Sequence, residues 1–202
     1  FDLHRVAQLK SMTPKIEQGQ FVDSSNGVQF QPTNMPTCRI YTFPEDQYKS
    51  GYIIGADVAE GLDTGDYSCA VVVKRLPLEV VAVIRAGQGD QMSIDDFAEQ
   101  VRLAAKYYKD AHICVESNAD GSAVNMLLAE RKARNILREK DLDLSDSSRY
   151  GWRNTSSSRR LGVALLQTYF NKGELAIFDH QILQEMTNFV PVNGKPQAVK
   201  KG

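Results

Sequence analysis

Apolar and polar positions change their pattern along the chain, and from Arg39 onward that pattern is tight. RIYTF reads as a short strand and Pro44 to Ser50 as a loop; YIIGADV, YSCAVVVKRL and LEVVAVIRAG follow as three strand-like runs. The Pro77 turn between the second and third implies an antiparallel hairpin. Ser93, with Asp96 three residues on, marks a helix start, and Ile94, Phe97, Val101, Ala105 and Tyr108 line one face of that helix. AHICVES is a buried strand, followed by a helix from about Ala119 to Ala133 with Val124, Leu127 and Leu128 inward. NILREKDLD reads as a short strand, and SSSRRLGVALLQTYFNKG as a helix with Leu161, Ala164, Leu165 and Thr168 at helical spacing. LAIFD is a strand, HQILQEMTNF a helix capped by Asp179, and VPVNGKPQAVKKG a hairpin turning at Asn193-Gly194. Three antiparallel strands, then alternating helices and strands, predict an α/β fold with a mixed central sheet flanked by helices.

Residues 1 to about 37 lack a lasting period. A helix-like DLHRVAQL leads into a Gly/Asn/Pro-rich piece, so 1–37 reads as a connector and 38–202 as the folded domain. The first residue is Phe, which suggests a piece of a longer chain. At 202 residues, 42% hydrophobic and 24% charged, the composition is that of a soluble globular protein. No apolar run approaches membrane-spanning length, and the start has no signal-peptide layout. Cys38, Cys69 and Cys114 share no CxxC spacing, which fits a reducing, cytoplasmic setting. GxxxxGK[ST] is absent, so ATP hydrolysis through a P-loop is unsupported.

Charge changes the picture through its distribution, because the net value is only −1. YIIGADVAEGLDTGDYSCAVVV holds Asp57, Glu60, Asp63 and Asp66 and no Lys or Arg. Asp57 falls at the end of a strand-like run, and Glu116 ends another. Acids placed where a chain leaves its core are costly without a positive partner, and hard oxygen donors suit Mg²⁺ or Mn²⁺. From Glu130 to Arg160 nine Lys/Arg face five acids. A basic stretch following an acidic cluster suits a metal site beside a phosphate track, or simply solvated helix faces. Asp57 reads as a ligand or a turn-former, Glu116 as a ligand or a helix cap, and Asp66 as part of the metal shell or of a Gly-Asp turn. Glu60 and Asp63 read as loop acids, His112 and His180 as structural, and Trp152 as a packing residue or a DNA contact flanked by Arg149 and Arg153.

The ordered series GxDxAxGxxxGDxS, then ExNxxG, resembles the C-terminal nuclease domain of the large terminase subunit of tailed bacteriophages, a ribonuclease-H-like family. FDLHRVAQL, RYGWRNTSSSRRLGVALL, GELAIFDHQILQEMTNFV and the closing GKPQAVKKG add to the match. The resemblance implies a ribonuclease-H-like fold and a metal-dependent endonuclease that cuts concatemeric double-stranded DNA, with little sequence specificity, during genome packaging. It implies Asp57 and Glu116 as ligands of two divalent cations, with the family's third aspartate expected beyond Gly202. Two such ions activate a water and neutralise the leaving oxygen. Backbone contacts are expected from Arg153, Arg159, Arg160, Lys200 and Lys201. An ATPase domain in the same chain, a portal protein and a small terminase subunit are the implied partners, with no membrane, in the host cytoplasm. A Holliday-junction resolvase or ribonuclease H on the same fold, and a catalytically silent DNA-binding or portal-docking module, are the alternatives.

Overall fold

A computed structural model describes residues 1–12, 14–47, 51–59, 67–85, 92–117, 119–142, 148–192 and 195–198. Helix α1 (Leu3–Ser11) begins at Asp2, whose carboxylate accepts from the backbone N–H groups of His4 and Arg5. Strands β1 (Glu17–Ser24) and β2 (Gly27–Pro32) form a hairpin, and β3 (Cys38–Ile40) pairs antiparallel with β1. An antiparallel meander follows: β4 (Tyr52–Asp57), β5 (Cys69–Arg75) and β6 (Leu78–Arg85). Helix α2 (Ile94–Tyr107) crosses to β7 (His112–Val115), which lies parallel to β4 and precedes α3 (Ala119–Glu130). Then come α4 (Ser156–Asn171), the two-residue β8 (Leu175–Ala176) parallel to β6, and α5 (His180–Thr187). Strands β9 (Phe189–Val192) and β10 (Lys195–Ala198) form a separate hairpin, and its turn residues lie outside the described set. The main sheet runs β2-β1-β3-β6-β5-β4-β7, with β8 beside β6. This is the mixed, helix-flanked sheet that the hydrophobic pattern predicts.

Two apolar layers cover the sheet. Ile54, Val72, Ala82 and Ile84 meet Phe97 and Val101 of α2 and Val124 and Leu128 of α3. Val80 and Val83, with the partly buried Val71 and Val73, meet Val6 and Leu9 of α1 and Leu183 and Met186 of α5. Alternation along β5 sends Val72 to one layer and Val71 and Val73 to the other, as the two-residue side-chain period requires. Strand β6 breaks that alternation. Its register with β5 slips between Val72 and Val73, so Val81 and Ala82 both enter the first layer.

The first 37 residues carry α1, β1 and β2, and β1 extends the main sheet through β3. Their pattern is weak because Phe21 is the only large side chain β1 buries. Gly19 sits where a Cβ would come within 2.1 Å of the Gln31 carbonyl oxygen, so β1 and β2 approach too closely for any larger residue. NILREKDLD is not a strand: Ile136 makes a single bridge to Ile113, and a 3-10 turn occupies Glu139–Leu142. Helix α4 forms where the spacing predicts it, but the spaced residues are not packed. Leu161 and Leu165 are exposed, 61% and 47%, and only Phe170 of the helix is buried. Helical spacing marks one face of a helix but not whether anything packs against it.

Asp179 ties the second layer to the sheet. Fully buried, its carboxylate caps α5 through the N–H groups of Gln181 and Ile182, both at 2.9 Å. It also accepts from the Arg39 guanidinium at 2.8 and 3.0 Å and from the Tyr41 hydroxyl at 2.8 Å. Burial alone would raise this carboxyl's pKa; the Ile182 N–H, Arg39 and Tyr41 outweigh it and hold the pKa below the usual value. A depressed carboxylate stabilises the fold above its unfolded pKa and loses that contribution as pH falls through the folded one. Asp179→Ala is therefore expected to cost about 3–5 kcal/mol in urea unfolding at neutral pH, because it strands Arg39. Asp179→Asn should remove part of the wild-type loss of stability on acidification, measured in the same titration.

Candidate metal and phosphodiester site

Parallel pairing of β4 with β7 sets the site. Ala56 lies opposite Val115, and the Glu116 N–H donates to the Ala56 carbonyl at 2.8 Å. Asp57 and Glu116 therefore leave neighbouring strands side by side, at the same sheet edge, where parallel α/β sheets present their ligands. On the other flank of Glu116 runs a short parallel segment. Trp152 N–H donates to the Val115 carbonyl at 2.9 Å, and Ser117 N–H to the Trp152 carbonyl at 2.8 Å. Gly151 makes this approach possible: at φ +83°, a Cβ there would meet the Val115 carbonyl at 2.2 Å and the Asn125 side-chain nitrogen at 2.7 Å.

The segment then delivers polar groups to the acids. Thr155 caps α4, its hydroxyl accepting from the Ser158 N–H at 3.1 Å while the Thr155 N–H donates to the Ser158 hydroxyl at 2.9 Å. The Asn154 side chain just before this cap hydrogen-bonds Glu116, and the charge of Arg159, one turn into α4, acts on the same carboxylate. Glu116 is half-buried and its pKa is raised. Burial is the largest cause, followed by the charge of Asp57 and a hydrogen bond between the two carboxyls; Asn154 and Arg159 oppose them. Two acids within hydrogen-bonding reach of each other make a place where positive charge is favoured.

Only part of the predicted site comes together among the described residues. Asp57 and Glu116 come together, and the charge of the exposed Arg159 acts on Glu116. Arg153 and Arg160 are exposed at the entry to α4; Arg160 Nε donates to the Ser156 carbonyl at 3.2 Å, along its own helix. Asp66, Glu60, Asp63, Lys200 and Lys201 lie outside the described residues. His112 starts β7 and His180 starts α5, and neither belongs to the acidic pair. No group of three His, Cys, Asp or Glu side chains able to hold a metal occurs among the described residues. Asn154 escaped the sequence reading; the one signal for it was an amide directly before a Thr-x-x-Ser helix start. Trp152 contributes backbone pairing, which no composition rule reveals.

With that geometry, comparisons with known proteins are specific. A family model described as "Terminase RNaseH-like domain" matches residues 54–200. No curated protein matches the chain. Among solved structures, the large terminase nuclease from thermophilic phage G20c with bound magnesium is similar, with TM-score 0.62 and 16% identity over 92% of this chain and 85% of that one. The same nuclease with bound cobalt gives the same values. The Thermus phage P74-26 large terminase nuclease domain gives TM-score 0.58 and 17% identity over 92% of this chain and 78% of that one. At such identity the likeness is one of fold.

Two expectations follow from the geometry. Because Asp57 raises the Glu116 pKa, ionising the pair opposes folding as pH rises through the folded pKa of Glu116. Asp57→Asn should stabilise the metal-free protein at neutral pH by up to about 1 kcal/mol, the scale of a like-charge pair on adjacent strands. The stabilisation should shrink on acidification in thermal melts. Gly151→Ala should destabilise the protein by at least about 1–3 kcal/mol in urea unfolding, from overpacking and strain at positive φ.

Proposed function

Because the chain belongs to the terminase RNaseH-like domain family, we propose that it is a divalent-metal-dependent endonuclease domain. It cuts concatemeric double-stranded DNA, with little sequence specificity, in viral genome packaging. The observation that carries this reading is the Asp57–Glu116 pair, held within hydrogen-bonding reach at the ends of two parallel-paired strands. A carboxylate pair whose mutual repulsion raises a pKa fits Mg²⁺ or Mn²⁺, which prefer oxygen donors. Asp57 and Glu116 would hold two such ions, with a third carboxylate and Asp66 as further candidate ligands. Bound divalent cations supply an activated water and charge neutralisation at the phosphate.

The chain's own residues divide the remaining work. Asn154 fixes the Glu116 carboxylate by hydrogen bonding, and Arg159 stabilises its ionised form from the first turns of α4. Arg153, Arg159 and Arg160, with Lys200 and Lys201, would hold the DNA backbone. Contacts to phosphate carry no base code, which accounts for the weak sequence preference. The segment 1–37 would join a preceding ATPase domain, and the portal protein and small terminase subunit would be partners, in the host cytoplasm. No helix among the described residues is long and apolar enough to cross a membrane.

Supercoiled-plasmid digestion with Mg²⁺ or Mn²⁺, with and without EDTA, tests the reading. Wild-type cleavage should require the metal, and Asp57→Ala or Glu116→Ala should lower the rate at least about a thousandfold, roughly 4 kcal/mol of barrier. Metal-independent cleavage, or full activity in both variants, would refute it. For DNA binding without metal, Arg160→Ala should weaken affinity equally across sequences and reduce the slope of log affinity against log salt by about 1.

A further inference from the structure

We propose a second, independent site: a cationic pocket at the opposite end of β7 that binds a small phosphate oligoanion of the diphosphate or triphosphate class. The cavity, of about 230 Å³, lies between the C-terminal half of α2 and the turn that follows α3. At roughly 30 Å³ per water this is space for about eight waters, enough for a compact oligoanion. Arg102 and Lys106, one helical turn apart on α2, meet Lys132 and Arg134 across a floor made by Ala105 and Ala133. One acid, Asp110, lines the same cavity. Four cations around one acid stand out in a chain whose net charge is −1.

These cations are only partly committed elsewhere. Arg102 is well engaged by Glu99 at 2.7 Å, with Asp23 at 3.5 Å. Among the described residues Lys106 pairs only with Asp23, at 3.5 Å, and Arg134 only with Asp110, at 3.2 Å, with its side chain 77% exposed. Lys132 is exposed, and no ion pair or side-chain hydrogen bond engages it among the described residues. Exposed pairs of this kind contribute little, so a phosphate can take their place. The pocket's rim is unusual in its backbone as well. The described non-glycine residues at positive φ are Lys109, Asp110, Lys132 and Asn135, and all four belong to the two turns that form or adjoin it. Asn135 Nδ2 donates to the Asp110 carbonyl at 2.7 Å and ties those turns together. Left-handed residues without glycine are strained and persist where the surroundings fix them.

Shape separates this site from a duplex track. Its cations converge into a concavity rather than forming a ridge along a backbone. Asp110 lies in the turn before the four-residue strand β7 and Glu116 just past its far end; the strand alone spans on the order of 13 Å, so one phosphate cannot touch both sites.

Isothermal titration of the intact chain in EDTA with inorganic pyrophosphate, inorganic triphosphate and a short DNA duplex tests the proposal. Pyrophosphate or triphosphate should bind saturably at one site, weaken as salt rises, and shift the methyl resonances of Ala105 and Ala133. Lys106→Ala/Lys132→Ala, both at exposed side chains, should weaken that binding about tenfold or more, while Asp57→Ala should bind as the wild type does. No saturable binding of either oligoanion would overturn the proposal. So would binding that survives the double substitution, or a double substitution that weakens only the duplex. Because metal and the Asp57–Glu116 pair are not needed for binding, failure here is distinguishable from failure of the nuclease reading.

Discussion

The parallel register of β4 and β7 is the constraint on which the candidate site depends. Ala56 opposite Val115 puts Asp57 and Glu116 at one edge, and the Glu116 N–H bond to Ala56 fixes their relative height. A slip of one residue would turn the side chains to opposite faces and separate the acids. Buried alternation protects against that slip. Ile54 and Ala56 of β4, and Ile113 and Val115 of β7, are locked into the same apolar layer under α2 and α3. Core packing that looks purely structural thus sets the spacing of the two carboxylates.

Two acids, Glu116 at a strand end and Asp179 at a helix cap, have opposite fates in this molecule, and the comparison separates structure from function. Asp179 is fully buried and satisfied by two backbone N–H groups, a guanidinium and a phenol, so its ionised form stabilises the fold. Glu116 is less buried, yet its neighbour is another acid and its pKa moves the other way. Local stability is lower at such a place than an amide would give, a usual mark of sites shaped for binding charge. Asn154 and Arg159 soften the repulsion without removing it.

Helix α4 links the site to the surface. Its N-terminus follows directly on the segment that pairs with Glu116, so the charge of Arg159 acts on that acid while the body of the helix stays largely exposed. Only Phe170 anchors its far end, in the layer that holds α1 and α5. An element anchored at both ends holds its first turn in place with little packing along its middle.

The sequence by itself determined the mixed α/β order, the β5–β6 hairpin at Pro77, the caps at Ser93 and Asp179, and the two strand-end acids. Each rests on local chemistry: side-chain periodicity, a turn residue, or a carboxylate ahead of a helix. The β1–β2 hairpin was illegible because a strand that buries little beyond Phe21 leaves almost no apolar signal. The exposure of Leu161 and Leu165 was equally hidden, since spacing shows a face but not its neighbour. The Trp152 pairing, the reach of Asn154 to Glu116 and the convergence of Lys106 with Lys132 were decided only by the tertiary structure. They join residues far apart in the chain through backbone register and close approach, which no local pattern encodes.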